Sequence, residues 1–120
     1  MKQVLRVALM TAFAGTSVMA HHSYSAYHRD QIIEVEGVVE SFEFISPHSF
    51  LRVKADDGRV YIGEWRAAAA MQRLGVEKDT IRPGDRVVMS GNPKRDIDES
   101  GIVNVRTVRR PADGSKWPAQ

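Results

Sequence analysis

The sequence predicts a small, mainly β domain of five strands, with one short helix between the third and the fourth. Three observations predict it. Short runs rich in Val, Ile, Phe and Tyr alternate apolar with polar residues, turns built on Gly, Pro and Asp separate them, and a single alanine-rich run carries helical spacing. At 120 residues the chain has room for one core, and 27% charged with 42% hydrophobic residues is an ordinary globular composition.

The first strand is predicted over 32–44 (IIEVEGVVESFEF). Its apolar face holds Ile33 and Val35 before Gly37 but Val38, Phe42 and Phe44 after it, so the inward parity is expected to flip at a bend or bulge on the glycine. Ser46-Pro47-His48-Ser49 breaks this strand. A second, half-buried strand over 50–55 sets Leu51, Val53 and Ala55 against Arg52 and Lys54. Asp56-Asp57-Gly58 then turns the chain into a third strand over 59–65, with Val60 and Ile62 on one face and Tyr61 and Trp65 on the other. Residues 66–74 (RAAAAMQRL) form the helix, Met71 and Leu74 meeting the core and Gly75 ending it in a left-handed cap. Pro83-Gly84-Asp85 turns into a fourth strand over 86–91, a mixed-charge loop follows over 92–101, and a fifth strand covers 102–108. This order is that of an OB-fold-like barrel, a five-stranded Greek-key architecture.

Ahead of the barrel domain (32–110) lies an aromatic, polar arm over 21–31, and after it a tail over 111–120 that is expected to fray unless Trp117 docks back. Residues 1–20 have the three parts of a secretory signal. Lys2 and Arg6 make a positive start, 7–14 an apolar centre and 15–20 a small-residue end, with Val18 and Ala20 placed for cleavage after Ala20. The apolar run is shorter than the roughly 20 residues that span a bilayer, so no stable membrane anchor remains after cleavage. A periplasmic destination follows. Removing Lys2 and Arg6 from the 17 basic residues leaves 15, which equals the 15 acidic ones. The pI near 9.2 therefore belongs partly to the signal, and phosphate-backbone binding loses its main support.

Ala20-His21-His22-Ser23-Tyr24-Ser25-Ala26-Tyr27, the turn Ser46-Pro47-His48, Trp65 after the third strand and Ile81-Arg82-Pro83-Gly84-Asp85-Arg86-Val87 together resemble domain-of-unknown-function family 6152. That is a family of small exported proteins of Gram-negative bacteria. Ser46 departs from the asparagine usual there, and Ala67 to Ala70 replace a more polar segment. The resemblance implies fold and location rather than an activity.

A cut after Ala20 makes His21 the first residue. Its α-amine, with a reference pKa of about 7.7–8.0, and its own imidazole then form a chelating pair. A further imidazole completes a nitrogen-rich set, which favours copper first and zinc or nickel second. His22 and His48 are the candidate third ligands, while His28 reads as an exposed arm residue. A straight strand of 13 residues would hold His48 about 40 Å from the arm, against a reach of roughly 36 Å for the extended arm, so contact depends on a bend. The expected role is that of a metal carrier or accessory protein; the protein partner is not specified by the sequence.

The rival class is a non-metal binding module in which the histidines are structural. Its suspects are Arg52, Lys54, Arg59, Tyr61, Trp65, Lys94 and Arg95, but Asp56, Asp57, Asp96, Asp98 and Glu99 lie among them and disfavour nucleic acid. Catalytic motifs are missing: there is no nucleophile elbow, phosphate-cradling glycine loop, H-E-x-x-H helix or cysteine, and Glu40 and Glu43 fall on opposite strand faces.

Overall fold

The computed structural model describes residues 25–119. The signal segment and His21 and His22 lie outside the described residues.

The elements are β1 (Ile33–Glu43), β2 (Phe50–Ala55), β3 (Val60–Glu64), α1 (Ala68–Arg73), β4 (Arg86–Pro93), α2 (Ile97–Ser100), β5 (Ile102–Arg110) and β6 (Ser115–Trp117). Antiparallel pairing joins β3 to β2, β2 to β1, β1 to β4 and β4 to β5. A short parallel pairing of Ile62–Glu64 with Ile102–Asn104 then closes the sheet. The result is the OB-like five-stranded barrel, with α1 between β3 and β4, plus the extra strand β6 on the outer end of β5.

The long first strand closes the barrel by serving two neighbours in turn. Ile33 to Val38 pair with β4, and Gly37 to Glu43 pair with β2. At the overlap a Cβ on Gly37 would lie 2.2 Å from the Lys54 carbonyl oxygen, so only glycine admits this approach. The parity does not flip there, however. Val35, Gly37 and Val39 all point inward and Val38 is exposed; the register shifts between Val39 and Ser41, after which Phe42 packs against the core. Pairing on both sides of Gly37 locks the strand in phase through the glycine, and the bulge comes where the β4 partner has ended.

Leu51, Val53, Val87, Met89, Val103 and Val108 fill the barrel, each inaccessible to solvent. Met71 of α1 and Val76 close one end. Gly75 ends α1 as expected. At φ +81° its N–H donates to the Gln72 carbonyl while the Val76 N–H donates to Met71, a paired cap with Met71 and Val76 in apolar company. The helix is shorter than its alanine run suggested because Trp65 and Arg66 are bonded to Ser49 in extended pairing, and the Ala68 N–H that opens α1 donates to the Ile45 carbonyl. The tail is not frayed where it was expected to be. Ser115–Trp117 pairs with β5, and Trp117 is buried beneath the Arg110 guanidinium, 5.1 Å from its ring centroid.

Candidate functional site

At the end of β3 the chain is stitched to the turn that carries His48. The Trp65 N–H donates to the Ser49 carbonyl at 2.8 Å, and the Ser49 N–H donates to the Arg66 carbonyl at 3.0 Å. Ser49 is fully buried, its hydroxyl on the Ile45 carbonyl. This ladder sets His48 beside Glu64, with Nδ1 3.1 Å from one carboxylate oxygen. The contact turns Nδ1 toward the carboxylate and leaves Nε2 on the far side of the ring.

The other oxygen of Glu64 accepts a hydrogen bond from the hydroxyl of Tyr27, which comes from the arm. Burial, then this bond and the charge of Glu64, hold the Tyr27 hydroxyl well above the ordinary tyrosine range. The arm reaches the site because it folds back over the barrel. Tyr27 bridges to Lys94, the His28 N–H donates to the Pro93 carbonyl, and Arg95 holds Ala26 and Ser25 through its N–H and guanidinium. Asn92, 5% exposed, clamps the next turn: its amide nitrogen lies 3.2, 3.3 and 2.6 Å from the carbonyls of His28, Arg29 and Gln31. Its oxygen accepts from Arg106 Nε at 2.8 Å.

The 40 Å separation expected of a straight strand is therefore absent. Tyr27 and His48 share one carboxylate, and from Tyr27 five residues of chain lead back to His22, a reach of at most about 18 Å. His28 is not brought in: it does not line the hollow beside His48. Among the described residues no three His, Asp or Glu side chains come together as a metal set.

That hollow is an open cleft of about 680 Å³. Pro47, His48, Glu64, Trp65 and Pro118 form part of its wall, together with Arg29, Arg66 and Arg106. The Trp65 indole Nε1 is buried without a partner among the described residues. A family model for a family of unknown function, DUF6152, matches residues 9–104. The chain belongs to that family. No curated protein matches it.

In this DUF6152 barrel the basic residues suspected of ligand binding are mostly engaged locally. Arg52 pairs with Glu40 at 2.9 Å, Arg59 stacks on Tyr61 and reaches the Ile97 carbonyl, and Lys94 faces Asp96 at 3.9 Å. Trp65 is buried against Phe42. The residues that do converge, Tyr27 and Arg29, Glu64 and Arg66, Asn92 and Arg106, come from four separate stretches of the sequence and carry no motif. Only the aromatic arm hinted at Tyr27. No helix among the described residues is long and apolar enough to cross a membrane.

Proposed function

We propose that this DUF6152 domain is exported to the periplasm, cut after Ala20, and there binds copper through its new N-terminus as a carrier or accessory protein. His21 supplies amine and imidazole nitrogens, and His48 or His22 supplies a further imidazole. One observation carries the reading: the arm docks so that Tyr27 and His48 meet on the carboxylate of Glu64. It supports the reading because only five residues of chain lead back from Tyr27 to His22, a span of at most about 18 Å.

The donor chemistry of His48 fits. Metal-binding histidines commonly give their second ring nitrogen to a carboxylate, which fixes the tautomer and raises ligand basicity. The ring is 52% exposed on its side chain, so its remaining nitrogen is available to an incoming ion. A copper ion bound there would supply Lewis acidity and a redox couple; the chain itself supplies the nitrogens, the carboxylate that orients one of them and the docked arm.

The test is to purify the exported protein, identify its first residue by mass spectrometry and titrate copper by calorimetry. His21→Ala, His48→Ala and a form with one residue added before His21 are each expected to bind at least tenfold more weakly. Glu64→Gln should cost 10–100-fold, the usual range for losing a supporting carboxylate. If all forms bind alike and weakly, the chelating terminus is abandoned.

A further inference from the structure

Beyond the copper reading, and independent of it, we propose that the cleft beside His48 binds a small organic polycarboxylate. Three arginines, Arg29, Arg66 and Arg106, line one hollow whose single lining carboxylate, Glu64, is already shared by Tyr27 and His48. No described residue pairs with the side chains of Arg29 or Arg66, whereas the cations elsewhere on the barrel, such as Arg52, Arg86 and Arg110, have acidic partners.

The arrangement is built rather than incidental. Buried Asn92 ties two of the arginines together, its amide on the Arg29 carbonyl and its oxygen on Arg106 Nε. Arg106 thus keeps its two terminal nitrogens for another acceptor. Arg66 is fixed by the Ser49 N–H on its carbonyl. Anchored backbones limit the ordering cost of binding. Guanidinium forks match carboxylates two bonds at a time, and several forks in one cleft select a ligand with several carboxylates.

The walls argue for a carbon skeleton over a bare inorganic ion. Pro47, Trp65 and Pro118 flank the arginines, and about 680 Å³ falls within the roughly 300–1,000 Å³ of small-molecule sites. Nucleic acid does not fit as well, because the barrel surface beyond the cleft returns to paired, mixed charge.

The experiment is calorimetry on the metal-depleted mature protein, using citrate and succinate, with inorganic phosphate and glucose as controls. Citrate is expected to bind most tightly, more weakly as sodium chloride rises, and glucose not at all. Arg29→Gln and Arg66→Gln should each weaken citrate at least tenfold while leaving the urea midpoint and copper binding unchanged, since both side chains are exposed and unpaired within the described fold. Absence of citrate binding, citrate binding indifferent to both substitutions, or phosphate binding as tight as citrate overturns the proposal. Loss of copper binding with citrate binding intact would overturn only the copper reading.

Discussion

Replacing Asn92 with alanine tests whether the arm is part of the folded domain or merely rests on it. The amide has two hydrogens, so it serves at most two of the three arm carbonyls within 3.3 Å at once, and its oxygen serves Arg106. A net hydrogen bond is worth about 1 kcal/mol, and one to a charged group about 1.5–3 kcal/mol. Arg29 and Gln31 are exposed, so water recovers part of the loss for their carbonyls. A net cost of about 2–3 kcal/mol remains. For a domain of this size each kcal/mol moves the melting midpoint by about 4–8 °C, so Asn92→Ala should lower it by on the order of 10 °C or more. Urea unfolding followed by tryptophan fluorescence measures the cost, with an unchanged m-value showing that the unfolded state is not altered. Amide exchange at His28 and Gln31, whose N–H groups are bonded to Pro93 and His28, should accelerate in parallel. A loss below about 0.5 kcal/mol, the size of a neutral surface change, with exchange at those amides unaltered, would refute the clamp.

Other consequences follow from the same contacts. Because the folded state raises the Tyr27 pKa, its contribution is complete below the unfolded value of about 10 and is lost as pH rises above it. Wild-type stability should therefore fall more steeply with alkaline pH than that of Tyr27→Phe, a difference readable in urea midpoints across that range; equal slopes would contradict it. Asp113 has the opposite sign: the Arg110 guanidinium first, then the Ser115 N–H, holds its carboxyl below the usual range. Its contribution is present above about pH 4 and fades as pH falls below that, so Asp113→Asn should flatten the acid limb of the stability curve. Gly37→Ala drives a Cβ into the Lys54–Ala55 backbone, at 2.2, 2.7 and 2.9 Å from three of its atoms, and should cost more than the ~1–3 kcal/mol of ordinary overpacking, seen as loss of soluble folded protein or a collapsed melting midpoint. Trp117→Ala should destabilise by about 3 kcal/mol in urea if the tail is truly part of the fold.

Local chemistry made most of the barrel legible. The Asp56-Asp57-Gly58 hairpin, the Gly75 cap and the Pro83-Gly84-Asp85 turn each rest on residues adjacent in sequence, and each is found where it was expected. The phase of β1 was not legible, because adjacent Val38 and Val39 are both apolar, and only the double pairing at Gly37 and the register shift after Val39 turn Val39 and then Phe42 inward. For the site, His48 was legible as a turn residue and Tyr27 as part of an aromatic arm. Glu64, Asn92 and Arg106 were not: Glu64 and Arg106 read as ordinary polar strand residues and Asn92 as the start of a loop, until β4 runs on to Pro93 and closure of the barrel sets the strands side by side. The strand at Ser115–Trp117 was hidden by its brevity and by the proline that follows it.

That proline also bears on how the protein behaves in crowded surroundings. β2 and β4 have a paired strand on each side, β1 changes partner along its length, β3 meets β5 only through Ile62–Glu64, and the outermost strand, β6, is three residues long. Pro118 follows at once and has no N–H to offer, while Lys116 places a charge on the same rim. A strand from another molecule would find little to add itself to along β6. In a domain that no disulfide fastens, the shortness of β6, Lys116 and Pro118 together blunt this edge against pairing with a second molecule.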